Sequence, residues 1–179
     1  MPFSYSMNEA DNIAQLAYKD IEKYLKHFDV TDEVIDVQND KRFQSLDIDL
    51  LWKRTVNGNK ETIKIEIKGD RWHRTGNYFF ETISNNNKNT PGCFMYTEAD
   101  YIFYYFLEIK ELHILPMPTT RNWFVLHQDD FEEKATSTPG ANGQIAYKTI
   151  GKLVPKKTLH DNKKLPFQIK VVKLNNCLK

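Results

Sequence analysis

Residues 47–70, DIDLLWKRTVNGNKETIKIEIKGD, constrain the fold more than any other stretch of the chain. Two alternating runs flank Asn57, Gly58 and Asn59, a strong turn signal, so they read as the two strands of a hairpin. Side chains along a strand alternate between faces. One face therefore collects Ile48, Leu50 and Trp52 with Ile63, Ile65 and Ile67, apolar enough to place the hairpin centrally in a sheet. The other face collects Asp47, Asp49 and Leu51 with Lys64, Glu66 and Lys68. The turn brings Asp49 opposite a residue close to Glu66. Carboxylates facing each other at roughly 5 Å between Cβ atoms destabilise a sheet and call for a counter-charge. A hard divalent cation takes such a pair, leaving its other positions to water and phosphate. An isolated E-x-K is also what any strand with one wet face carries; the acid on the preceding strand is what sets this one apart.

The rest of the chain supplies a frame for the hairpin. Ala10, Ala14, Ala17, Ile21, Tyr24 and Phe28 recur at helical spacing and predict an amphipathic helix over 7–28, capped by Ser6 with Glu9 three residues on. EVIDV (33–37) reads as a short strand and NDKRFQS as a polar loop. After the hairpin come the loop DRWHRTG, a strand NYFFETIS, the breaker NNNKNTPG, a buried aromatic strand within ADYIFYYFLEI and a further strand LHILP. Trp123, Phe124, Leu126 and Phe131 mark a second helix to about residue 134. TSTPGANG (136–143) is the linker candidate, followed by β-like pieces among prolines and lysines. This order argues for an α/β domain with a mixed sheet packed by helices. The expected division is a core over 1–135 and a basic C-terminal extension over 136–179 packed on the same domain.

Composition narrows the function. The 40% hydrophobic content suits a packed core. Cys93 and Cys177 lie far apart without CxxC spacing, which predicts neither a disulfide framework nor a zinc site and fits a reducing, cytoplasmic compartment. The opening residues lack a basic patch followed by an apolar run, so no secretory signal is expected, and no apolar run reaches the roughly 20 residues needed to span a bilayer. The histidines form no HxH or HExxH, and phosphate-cradling glycine motifs are missing, against a zinc enzyme, an ATPase or a dinucleotide enzyme. Net charge is only +1, but residues 135–179 hold nine lysines, no arginine and one acid, Asp161. A basic tail on an acidic body is a candidate nucleic-acid surface, with Lys156 and Lys157 as its adjacent pair; it also serves as a solubilising tail.

IDLLW followed across a turn by IEIK resembles the PD-(D/E)XK nuclease superfamily, the restriction-endonuclease-like fold. The resemblance covers residues 7–116 and leaves the basic extension unexplained. It implies an α-β-β-β-α-β-like core with a central mixed sheet flanked by helices. It also implies Mg²⁺-dependent phosphodiester hydrolysis, with Mn²⁺ as a substitute. By position Asp49 resembles the first metal-binding acid, Glu66 the second and Lys68 the catalytic lysine that orients or helps deprotonate the attacking water. The family's proline before the first acid is replaced by Ile48. Asp47 rivals Asp49, which is preferred because apolar residues follow it and because of its register to Glu66.

Around this centre, Asp70 reads equally as a further site acid or as the strand end, and Glu81 is a candidate accessory acid. Arg71, Trp72, His73 and Arg74 interleave basic groups with an aromatic, as contacts to phosphates and an unstacked base require. The expectation is a small Mg²⁺-dependent endonuclease acting on DNA, a homodimer if it cuts both strands, without membrane contact. Its rivals are a catalytically inactive nucleic-acid-binding protein of the same fold, and a protein of another class whose acidic face is simply wet. DNA versus RNA, and one metal or two, stay open.

Overall fold

The computed structural model describes residues 7–140, 144–163 and 165–176. Helix α1 (Met7–Lys26) leads into strand β1 (Thr31–Asp36), a single helical turn α2 (Lys41–Gln44), and the hairpin of β2 (Leu50–Val56) and β3 (Asn59–Asp70). The expected Ser6 cap lies outside the described residues. Asn57 (φ 51°) and Gly58 (φ 79°) form the two-residue turn, both left-handed as the twist of such a hairpin requires. Next come β4 (Asn77–Asn85), β5 (Thr90–Pro91), the short helix α3 (Cys93–Tyr96), β6 (Tyr101–Phe106) and β7 (Glu111–Pro116). Helix α4 (Thr119–His127), β8 (Glu132–Pro139), β9 (Ile145–Pro155), the short helix α5 (Lys156–His160) and β10 (Lys170–Lys173) complete the order. No helix among the described residues is long and apolar enough to cross a membrane.

The strands form two sheets. A six-stranded mixed sheet runs β1-β2-β3-β6-β7-β10, with β3 and β6 parallel and its other pairs antiparallel. The hairpin strand β3 is thus interior, as its apolar face predicts. A second, antiparallel sheet runs β5-β4-β9-β8.

Period-2 alternation in β3 and β6 divides the core in two. Leu50, Trp52, Ile63, Ile65, Phe103 and Tyr105 pack against Ala17, Ile21, Tyr24 and Leu25 of α1. On the opposite face Ile102, Tyr104 and Phe106 pack against Tyr78 and Phe80 of β4, Val154 of β9, and Trp123 and Phe124 of α4. The aromatic run of β6 therefore feeds both layers, and burying one such ring is worth about 1.5–3 kcal/mol. Glu66, Lys68 and Asp70 lie in register with Ile102, Tyr104 and Phe106. They face the second sheet.

Two expectations change. The second helix stops at His127, and Glu132–Lys134 begin β8 instead of ending a helix, because Glu132 to Pro139 pair along β9. The linker candidate is partly this same strand, up to Pro139. The boundary expected at 135/136 accordingly falls inside β8, while β9 sits in the middle of the second sheet and β10 closes one edge of the first. A polar chain running from the interior to the surface fastens these parts. Glu111 can only accept, so it takes the His113 Nε2–H at 2.8 Å; His113 Nδ1 then accepts from the Tyr78 hydroxyl at 2.6 Å, and that oxygen accepts from His160 Nε2 at 2.6 Å. Strands β7 and β4 and helix α5 are joined through these four side chains.

Candidate active site

The site forms where three segments meet on the sheet face turned toward β4. The first is the entry to β2. The turn that follows α2 ends at Asp47, whose φ of 54° is a left-handed conformation that Asp tolerates better than most residues. Its carbonyl accepts from Thr97 Oγ1 at 2.7 Å and its Oδ1 from the Tyr96 hydroxyl at 3.3 Å. Two residues on, the Asp49 N–H donates to Ile65 O at 3.0 Å and Asp49 Oδ2 accepts from the Ile67 N–H at 2.9 Å. A side-chain carboxylate thus takes over one rung of the β2–β3 ladder.

The second segment is β3, which carries Glu66 and Lys68. Glu66 is 7% exposed. Burial, then the charges of Asp49 and Asp47, push its carboxyl well above the ordinary carboxylate range, against the pull of Lys68. Asp49 is also raised, by burial, while its bonds to Ile67 and Glu66 lower it. The two carboxyls therefore titrate as a coupled pair, both held above the ordinary carboxylate range. Asp47 is raised to about 6, chiefly by burial, with Lys68 opposing and Asp49 and Glu81 adding to it.

The third segment is β4 with the turn into α3. Glu81 on β4 forms an ion pair with Lys68. Burial acts to lower the Lys68 pKa, but the charge of Glu81 above all outweighs it and keeps the ammonium protonated. Gly92 seats the α3 turn directly on β4: a Cβ there would stand 2.4 Å from Glu81 O, and its N–H donates to Thr82 O at 2.9 Å. From the other side Arg121 of α4 donates to Phe94 O at 3.0 Å and to Thr97 O. This clamping presents Cys93 to the acids. A carboxylate oxygen from each of Asp47 and Glu66 and the Cys93 Sγ all lie within 4.8 Å of one another.

The candidate residues are thereby sorted. Asp47, Asp49, Glu66, Lys68 and Glu81 come together in one polar centre. The geometry gives Asp47, ranked behind Asp49 from the sequence, the place on the open donor cluster, since Asp49 is occupied by Ile67 and Glu66. Asp70 belongs to β3 but is taken up elsewhere: it accepts from the Trp72 N–H at 2.6 Å and the Tyr104 hydroxyl at 2.5 Å. Trp72, with Lys68, Asp70, Glu81, Lys134 and Tyr147, lines a cavity of about 470 Å³ beside the centre. The Arg71 guanidinium lies 4.9 Å from the Trp72 ring and Arg74 is exposed. His73 turns to Glu108, its Nδ1 at 3.1 Å. Lys156 joins the same loop through a bond from Nζ to His73 O (3.2 Å) and lies over Phe106, while Lys157 is exposed. Asp20 of α1 accepts from Tyr105 (2.7 Å) and Lys110 (2.6 Å), away from the centre. Cys93, Gly92, Tyr96 and Arg121 carried no sequence signal beyond the turn-forming Pro-Gly pair before Cys93.

Two atoms decide whether a cation fits. Asp47 Oδ2 and Glu66 Oε2 are buried and have no hydrogen-bond partner among the described residues. Buried carboxylate oxygens are expensive to leave without donors, and two carboxylates brought this close are the donor set a divalent cation takes. The residues fit the group. Fold and centre together define an α/β protein whose mixed sheet carries a buried acidic centre with one lysine. No protein-family model, curated protein or solved structure matches the chain.

Proposed function

We propose that the protein is a divalent-metal-dependent nuclease of the PD-(D/E)XK type that hydrolyses phosphodiester bonds in DNA. The observation that carries the reading is the pair of partnerless buried oxygens, Asp47 Oδ2 and Glu66 Oε2, with Lys68 two residues beyond Glu66 on the same strand face. The order of α1, the β1-β2-β3 meander and a β6 parallel to β3 supports the restriction-endonuclease-like assignment. One departure stands out, because the crossover from β3 to β6 runs through β4, β5 and α3 where that fold type has a longer helix.

Asp47 and Glu66 would hold the cation, Mg²⁺ or Mn²⁺, with Asp49 fixed beside them by the Ile67 N–H. A cation held there supplies positive charge against the phosphate and acidifies water. Lys68 supplies a fixed positive charge next to the scissile phosphate, where preorganised charge is worth more than in water. Glu81 keeps that ammonium protonated and aimed. The cavity beside Trp72 and Tyr147, rimmed by Lys134, has the size and aromatic walls to take an unstacked base, and Arg71, Arg74, Lys156 and Lys157 lie around the loop that closes one end.

The test is a cleavage panel of plasmid, linear duplex, branched duplex, single-stranded DNA and RNA with Mg²⁺, Mn²⁺ or EDTA, for wild type, Glu66→Gln and Lys68→Ala. Metal-dependent cutting lost in both variants is expected. Retained salt-sensitive binding with no cutting by wild type would replace this reading with that of a nucleic-acid-binding protein.

A further inference from the structure

The acidic centre contains one group that an Mg²⁺ site has no use for. Cys93 Sγ lies within 4.8 Å of both carboxylate oxygens, and nothing about α3 demands a thiol at that position. Its presence there is fixed by structure on both sides. Gly92 permits the turn to approach β4 more closely than any side chain would allow, and Arg121 holds the carbonyls of Phe94 and Thr97 behind it. The third donor is therefore as firmly placed as the first two. Glu66 is 7% exposed and its Oε2 is buried without a hydrogen-bond partner among the described residues, so the cluster is not internally satisfied.

Donor chemistry then bears on the choice of cation. Carboxylate and water suit Mg²⁺ and Mn²⁺, whereas a thiolate selects borderline and softer ions. Two carboxylates and one sulfur, with a further position left for water or substrate, form the three-donor open set typical of Zn²⁺ or Co²⁺. We infer that the centre binds borderline-soft divalent cations of the Zn²⁺ and Co²⁺ type through Asp47, Glu66 and the Cys93 thiolate, in preference to Mg²⁺. This rests on the reading of Asp47 and Glu66 as a metal site and adds the class of ion that site selects. Coordination forms a metal–sulfur bond as the thiol releases its proton to solvent, with no change in oxidation state. Mg²⁺ and Mn²⁺ occupy the same place through the oxygens alone, so Zn²⁺ at low concentration displaces them.

The experiment is a Co²⁺ titration of the full chain, prepared free of metal under reducing conditions. It is read by the near-ultraviolet absorption that arises only from a cobalt–thiolate bond, alongside the melting temperature with Mn²⁺. Wild type and Cys177→Ser are expected to develop the band at one Co²⁺ per chain, Cys93→Ser to lack it, and Cys93→Ser to keep its Mn²⁺-induced rise in melting temperature. Co²⁺ that competes with Mn²⁺ in wild type without producing the band overturns the role of Cys93 and leaves the oxygen site standing. No response of wild type to any of these cations overturns the metal site itself, and the inference with it. The wild-type spectrum alone decides the first of these outcomes, so a variant that fails to fold does not shelter the proposal.

Discussion

The backbone N–H of Ile67 donates to Asp49 Oδ2 at 2.9 Å, so the Asp49 carboxylate stands where a rung of the β2–β3 ladder would otherwise be. Asp47, two residues earlier on the same face, has no such bond at Oδ2. The two acids therefore respond oppositely to substitution. Asp49→Ala leaves a buried N–H unpaired and is expected to cost about 1–3 kcal/mol in urea unfolding. Asp47→Asn removes a buried charge and is expected to leave the metal-free protein as stable or more so at pH 7.5, while abolishing the Mn²⁺-induced rise in melting temperature. In wild type that rise amounts to several degrees: a ligand at a hundred times its Kd stabilises by about 2.7 kcal/mol, and each kcal/mol moves a chain of this size by roughly 2–4 °C.

Asp47 also sets a pH dependence. With its pKa raised to about 6, the folded protein binds more protons than the unfolded chain between the ordinary Asp value and pH 6, so this group's contribution to stability falls as pH rises through that window. In EDTA, wild type should lose stability relative to Asp47→Asn between pH 4 and pH 6.5, by up to about 3 kcal/mol if the full shift is expressed. Urea titrations of the pair at several pH values check it. Equal slopes would mean that Asp47 ionises freely.

His113 works in the opposite sense. Burial, joined by His160 and Lys156 and opposed by Glu111, lowers it to about 4. The unfolded chain therefore binds the extra proton between pH 4 and 6.5, and stability rises with pH across that range. Tyr78→Phe strands the buried Nδ1 of His113 and should cost about 1–3 kcal/mol, with the Mn²⁺ response unchanged because the chain lies outside the acidic centre.

Gly92→Ala tests how the centre is built. Its φ of −75° is open to any residue, so only the 2.4 Å approach to Glu81 O stands against alanine. Forcing β4 and α3 apart should destabilise by about 1–3 kcal/mol and weaken the cobalt–thiolate band through displacement of Cys93. A variant of wild-type stability and band intensity would show that the turn gives way freely.

How far the sequence reveals this centre depends on the range of each interaction. The hairpin, its turn and the partition of its faces follow from period-2 alternation around Asn57 and Gly58, so Glu66 and Lys68 were legible as neighbours on one face of an interior strand. The choice between Asp47 and Asp49 was not. Both have the same parity, and what separates them is a backbone donor, Ile67, two residues beyond the last β3 residue paired with β2. Cys93 was invisible because nothing local marks it; it arrives through the crossover from β3 to β6 and the close seating of Gly92 on β4. The second sheet was missed for a similar reason, since β8 and β9 owe their strand character to pairing with each other and with β4, while their Thr, Ser, Pro and Gly content reads as linker.

Anomalous scattering from a crystal of the protein grown with Mn²⁺ tests the central claim most directly. The account predicts a manganese peak in contact with carboxylate oxygens of both Asp47 and Glu66, within reach of Lys68's strand face and lost in Glu66→Gln. A fully occupied ion elsewhere, with these two oxygens still lacking a partner, would contradict it.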